Sequence, residues 1–213
     1  FQGIPDIKTT VWRGKNFVAA PHTNEGMALM RSFGLNAPSP IAEHYDWPGK
    51  YTPFHHQTST AQFCAENRRA FVLNGLGTGK TLSVTWGADY LMKEGTVRRA
   101  LIVAPLSTLE RVWGDTLYQT LPHRKFVILH GPRQARIDLC KQDWDFAVVN
   151  HHGLGIVREH LPKDLDLIII DELAVYRSHK AATLWGEAKK LIQPHHWVWG
   201  MTGTPTPNSP ENA

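Results

Sequence analysis

Cysteine is nearly absent from this sequence, with Cys64 and Cys140 the only two in 213 residues. Two thiols so far apart supply neither a disulfide framework nor a metal-binding spacing, so a reduced, intracellular setting is expected. Long apolar runs are missing too. None approaches the roughly 20 residues that a spanning helix needs, which argues against a helical membrane protein. No basic segment leads into an apolar one at the start, so a signal peptide is not expected. Phe1-Gln2-Gly3 reads instead as the remnant of a protease-recognition linker. Internal repeats and low-complexity segments are absent. Charge is only weakly one-sided: 23 Lys and Arg against 19 Asp and Glu, a net +4, permits a nucleic-acid partner without requiring one. With 42% hydrophobic and 20% charged residues, the chain can bury one good core plus a small appendage.

Proline punctuates the first fifty residues at Pro5, Pro21, Pro38, Pro40 and Pro48. Within them, Thr9 to Trp12 and Asn16 to Ala19 are expected to pair as short strands across an Arg13-Gly14-Lys15 turn. Thr23 to Gly26 offers a helix start, and Gly34 a stop. Residues 4–52 therefore form a small α+β accessory unit, whose function the sequence does not state. The pattern then changes. A helix-like segment from His55 to Asn67 is followed by apolar strands at 70–73, 99–104, 125–130, 146–150, 165–170 and 197–201, alternating with amphipathic stretches. The expected fold of residues 53–213 is α/β, a mainly parallel sheet with helices on both faces and ligands at the carboxyl ends of its strands. Asn208 to Ala213 break off inside what reads as another element, so a longer parent is expected.

The most informative stretch is Asn74-Gly75-Leu76-Gly77-Thr78-Gly79-Lys80-Thr81, which follows Ala70-Phe71-Val72-Leu73 and precedes a helix-like segment from Leu82 to Lys93. Strand, glycine-rich turn, Gly-Lys-Thr and helix is the arrangement a triphosphate requires. Gly75, Gly77 and Gly79 let the backbone, with Thr78, fold close around phosphates, while the helix N-terminus adds partial positive charge. Lys80 would reach the β- and γ-phosphates and the Thr81 hydroxyl would bind Mg²⁺. One departure is plain: Asn74 stands where the strict pattern has glycine.

Leu165 to Ile170 has the β-branched, apolar character of a strand buried on both faces, and it ends in Asp171-Glu172. Two adjacent acids there are costly unless a cation meets them. In a phosphate-binding-loop protein that cation is Mg²⁺, held by Asp171, while Glu172 can orient and deprotonate the attacking water.

Asp171-Glu172-Leu173-Ala174 together with Thr202-Gly203-Thr204-Pro205 resembles motifs II and III of superfamily II helicases and translocases, and Gly77 to Thr81 resembles their motif I. Leu101 to Ser107, with Trp113 a little later, is similar to motif Ia of the duplex translocases of the chromatin-remodeller type. Thr202 to Asn208 is similar to the same branch, and the whole run from Asp171 resembles its phage and bacterial members. The resemblance covers residues 53–213 and implies the first RecA-like lobe of an ATP- and Mg²⁺-dependent motor acting on duplex DNA. A second lobe in the same full-length protein would supply an arginine finger. A bacterial or phage-infected cytoplasm follows as the expected location.

Further roles are implied residue by residue. Gln57 looks like the upstream glutamine that reads adenine, a task its donor–acceptor amide suits. Ser107 and Thr108 would touch phosphates along one strand, and Arg111, Arg133, Arg136 and Lys141 would add charge unless they are merely solvated. Thr202, Gly203 and Thr204 would couple nucleotide state to movement. Ala174 departs from members with His there, so coupling from Glu172 to Thr202 needs another route or is weaker. Trp113 is expected in the core rather than as a base-stacking platform. His55-His56, His151-His152 and His195-His196 lack ligand partners at a zinc spacing. Two readings compete with a motor. A nucleotide kinase or a small GTPase would need an acceptor site or an Asn-Lys-x-Asp stretch, and the latter is absent from the sequence. A catalytically silent fold serving as a DNA-binding or protein-interaction module stays open.

Overall fold

Turn chemistry shapes the N-terminal segment in the computed structural model, which describes residues 7–177 and 182–204. The expectations placed on residues 1–3 and on 205–213, Pro205 included, lie outside them. The chain divides into two units at the Asp46–Trp47 junction. In the first, β1 (Lys8–Trp12) and β2 (Lys15–Ala19) pair antiparallel, with Trp12 opposite Lys15. Lys15 thus belongs to a strand, and the turn is Arg13-Gly14 alone. Their φ values of 50° and 72° are the left-handed pair that a two-residue hairpin demands. Helix α1 (Asn24–Ser32) is capped by Thr23, whose hydroxyl accepts from Gly26 N at 3.1 Å. The short α2 (Pro40–His44) starts on a proline, which needs no amide partner there.

The second unit alternates as expected: α3 (His55–Glu66), β3 (Arg69–Val72), α4 (Lys80–Lys93), β4 (Arg99–Ala104), α5 (Asp115–Thr120), β5 (Phe126–Ile128), α6 (Arg133–Cys140), β6 (Phe146–Asn150), α7 (Leu154–Val157), β7 (Leu165–Asp171), α8 (Ala182–Leu191) and β8 (Trp197–Met201). Its six strands lie in the order β3-β8-β7-β4-β6-β5, every pair parallel. All carboxyl ends therefore share one edge. Leu101, Val103, Val149, Ile168 and Ile170 pack with Cys140, Leu154, Val157, Ala188 and Leu191 on one face. On the other face α3 and α4 meet over Trp199. There Gly87 lets the helices approach, because a Cβ at that position would lie 3.1 Å from Ala61 O and 3.6 Å from the Trp199 ring.

Strand β5 is shorter than the expected 125–130. Lys125 N is taken by the Asp145 carboxylate at 2.8 Å, and beyond a last cross-strand bond from Leu129 N to Val148 O at 2.7 Å, His130 N turns back onto Ile128 O at 2.8 Å. The strand order carries the main consequence for function. Met201 at the end of β8 is in register with Val72 on one side and Asp171 on the other. The segment after β8 is thereby inserted between the glycine-rich loop and the acidic pair.

Candidate active site

The loop after β3 is held open from behind. Gly77 and Gly79 have φ of 72° and 76°, and Gly79 immediately precedes α4. The left-handed backbone favours glycine at 79, and a Cβ there would also displace the Gln57 amide from Thr78 O. Thr78 closes the loop by donating its hydroxyl to Gly75 O at 2.9 Å. Lys80 donates to Asn74 O at 2.9 Å and to Gly75 O at 2.7 Å. Asn74 also donates its side-chain amide to Thr60 Oγ1 at 2.9 Å, tying the loop's first residue to α3. The missing glycine is thus replaced by a tether. Thr81 sits half-buried in the first turn of α4.

Gln57 is buried and its amide is engaged at both ends. Oε1 accepts from Phe54 N at 3.0 Å, capping α3, and Nε2 donates to Thr78 O at 3.3 Å. His56 donates from Nε2 to the same carbonyl at 3.0 Å, and its ring stacks on Phe54. A cleft of about 770 Å³ opens beside them, lined by His55, His56, Ser59, Thr60, Asn74, Gly75 and Thr78. It has the size and polarity of a small-ligand site.

Asp171 closes β7, and Glu172 follows with φ 53°, a left-handed backbone that costs a side-chain-bearing residue energy and recurs at functional sites. Asp171 Oδ1 accepts from Glu172 N at 2.9 Å and Oδ2 from Trp113 Nε1 at 3.0 Å. Burial raises the Asp171 pKa above the usual carboxylate value, against the pull of those two donors and of the Lys80 charge. A desolvated carboxylate and the Thr81 hydroxyl are hard oxygen donors, so these residues fit Mg²⁺. Among the described residues no three His, Cys, Asp or Glu side chains gather into a further cation site.

Thr202 donates to Glu172 Oε1 at 2.7 Å and accepts from Thr204 N at 3.2 Å. Without His at position 174, the expected link between Glu172 and Thr202 was another route or a weaker one; the register of β8 beside β7 provides a direct hydrogen bond. Gly203 lies close against the loop: a Cβ there would meet the Leu76 side chain and lie 3.4 Å from Lys80 Nζ. Loop, acids and the turn after β8 therefore meet around the Lys80 ammonium.

Trp113 is fully buried, as the expectation of a core residue has it, yet it also aims its N–H at Asp171. This is the residue whose part in the site sequence reasoning missed. The available signal was that a buried indole N–H must find an acceptor. A wide, π-type turn over Leu109–Gly114 carries the ring there. Trp113→Phe is expected to keep the fold and raise the Asp171 pKa further, because one of the groups lowering it is lost. If hydrolysis needs Asp171 ionised, the acid limb of the pH–rate profile of the complete protein moves to higher pH, which a pH series on both proteins measures. An unmoved limb would show that the bond does not set the charge of Asp171.

Ser107 and Thr108 lie in the turn Leu106–Thr108 beyond β4, on the same sheet edge. Ser107 is exposed, whereas Thr108 donates its hydroxyl to Pro105 O at 2.9 Å. Arg111, Arg133 and Lys141 are exposed. Arg136 is a brace instead, reaching Gly131 O at 2.8 Å and Asn150 Oδ1 at 3.3 Å. His151 hydrogen-bonds the Tyr176 hydroxyl through Nδ1 at 2.9 Å, and burial pushes its pKa down to about 4, so the ring is neutral near pH 7.

The family model of SNF2-related domains matches residues 56–213. "Putative protein p41" of Acyrthosiphon pisum secondary endosymbiont phage 1 is 27% identical over 171 residues, covering 74% of this chain and 36% of that protein. The Sulfolobus solfataricus SWI2/SNF2 ATPase core in complex with dsDNA superposes with a TM-score of 0.66 at 20% identity, over 78% of this chain and 35% of the other. The SWI2/SNF2 ATPase core domain of the same organism gives 0.62 at 21% identity, over 75% and 33%. At these identities the two structures establish a shared fold. The chain spans about a third of the length of each of these relatives.

Proposed function

We propose a motor function for this chain, which belongs to the SNF2-related domain family: it is the ATP-binding lobe of a translocase that couples hydrolysis to movement along duplex DNA. The observation that carries the proposal is the hydrogen bond from Thr202 to Glu172, made next to the loop that holds Lys80. A structural fold has no need to join an acid in a strained backbone to a threonine from a neighbouring strand beside a phosphate-loop lysine.

The chemistry follows from the positions. Loop amides and the α4 N-terminus receive the phosphates. Lys80 exchanges two neutral carbonyl acceptors for anionic phosphate oxygens, a stronger pairing. Thr81 and Asp171 would hold Mg²⁺, which supplies charge neutralisation at the β- and γ-phosphates. Glu172 orients the attacking water and takes its proton as the water oxygen bonds to the γ-phosphorus and the bridging oxygen departs with ADP. Gln57 buttresses the loop from behind, and reading adenine would exchange its bonds to Phe54 N and Thr78 O for bonds to the base. Ser107 and Thr108 contact DNA phosphates without reading sequence.

Because Thr202 bonds the acid directly, Thr202→Val is expected to lower DNA-stimulated hydrolysis by the complete protein by about 10- to 100-fold, the worth of one hydrogen bond to a charged group. Nucleotide affinity should stay near that of the unaltered protein. Steady-state ATPase beside equilibrium binding of a nucleotide analogue separates the two. Movement itself is tested by displacement of a third strand from a triplex, which requires no unwinding of the underlying duplex. The complete protein should displace it with ATP, and failure to do so under conditions where ATP is hydrolysed would refute translocation.

A further inference from the structure

The β1–β2 hairpin is exposed along its whole length, so its large side chains serve no core. Alternation along the paired strands sorts them. Lys8, Thr10 and Trp12 share one face with Lys15, Phe17 and Ala19, while Thr9, Val11, Asn16 and Val18 form the other. On the first face Trp12 is 59% exposed and Phe17 42%, with the rings edge to face at 6.0 Å between centroids. The Arg13 guanidinium lies 4.4 Å from the Trp12 ring centroid. Residues 7–24 include Lys8, Arg13 and Lys15 but no Asp or Glu. One face of a small ribbon thus combines two aromatic rings with cations at both ends, while the reverse face is uncharged.

We propose that this face binds a single strand of nucleic acid, with Trp12 and Phe17 stacking on unpaired bases and Lys8, Arg13 and Lys15 meeting the flanking phosphates. Charge complementarity selects an anionic partner, and exposed rings between the cations select one with flat faces to stack on. A single strand offers both, whereas in a duplex the base faces are already stacked. β1 spans roughly 13 Å at the rise of a strand, long enough for more than one nucleotide. The site lies in the first unit, outside the lobe assigned to the motor, so the protein would hold a displaced or unpaired strand as well as the duplex. The proposal does not depend on the motor reading.

The test is equilibrium binding of the whole chain to a fluorescent 20-nucleotide oligo-dT and to a blunt duplex, with salt varied. Trp12→Ala/Phe17→Ala is expected to weaken oligo-dT binding by at least about tenfold, from stacking of one or two bases. Duplex binding should change little. Lys8→Gln/Arg13→Gln/Lys15→Gln should reduce the slope of log affinity against log salt by about 2, as expected for three phosphate contacts on a single strand. Val11→Thr/Val18→Thr, on the reverse face, controls for general disturbance of the hairpin and should leave binding unchanged. Equal loss in that control, or unchanged oligo-dT binding in the aromatic variant, would overturn the proposal. So would a hairpin that affects binding to anionic phospholipid vesicles but not to oligo-dT. Ser107→Ala/Thr108→Ala, measured on the same duplex, reports on the motor face separately, so either reading can fail while the other stands.

Discussion

The chain by itself is expected to hydrolyse ATP about 10³–10⁵-fold more slowly than the complete protein on DNA. That range is the worth of an arginine finger where one is supplied across a cleft. The described residues carry the loop, the acids and the turn after β8, and several of their cations already have partners. Lys80 belongs to the loop and Arg136 braces the end of β6. Arg177 reaches Thr204 O at 3.4 Å, and Arg99, at the amino end of β4, and Arg124 pair with Asp164 and Asp89. The transition-state charge on the γ-phosphoryl group would have Lys80 on the loop side, and on the motor reading the arginine opposite it comes from a second lobe. Single-turnover hydrolysis by the chain, compared with steady-state turnover by the complete protein on DNA, measures the gap. Brisk DNA-stimulated turnover by the chain alone would show that catalysis needs no second lobe.

Glu172→Gln in the complete protein is expected to lower kcat by about 10²–10⁴, the usual contribution of a positioned general base, while nucleotide still binds. The substitution is nearly isosteric, and the amide oxygen can still accept from Thr202, so the connection to β8 survives. Only proton acceptance is lost. An equal loss of binding and turnover would instead assign Glu172 to ground-state phosphate contacts, and an unchanged kcat would remove it from the mechanism. The left-handed backbone at Glu172 adds a structural reading. Strain of this kind persists only where the surroundings hold it, and here the Asp171 carboxylate accepts the Glu172 N–H while Thr202 holds the side chain.

Much of this was legible in the sequence because parallel strands buried on both faces read as continuous apolar runs, as Leu101 to Ala104 and Leu167 to Ile170 do. The phosphate loop was legible because its glycines, Lys80 and Thr81 act within a single turn of chain. Harder to see was anything set by strand order. Nothing local to Met201 says that it will lie between Val72 and Asp171, and from that placement comes the Thr202–Glu172 bond. Trp113 lies 58 residues from the carboxylate it serves. Asn74 read only as a departure from the strict pattern, its bond to Thr60 being invisible locally, and Lys15 read as turn, whereas the left-handed Arg13 shortens the loop to two residues.

The central claim, a DNA-driven ATPase built around Lys80, Asp171 and Glu172, is tested most directly by steady-state ATP hydrolysis of the complete protein with and without duplex DNA, beside Lys80→Ala. Hydrolysis stimulated by the duplex and abolished by Lys80→Ala is the predicted result. Equal turnover in the Lys80→Ala protein, or no hydrolysis by the unaltered protein with duplex present, would contradict it.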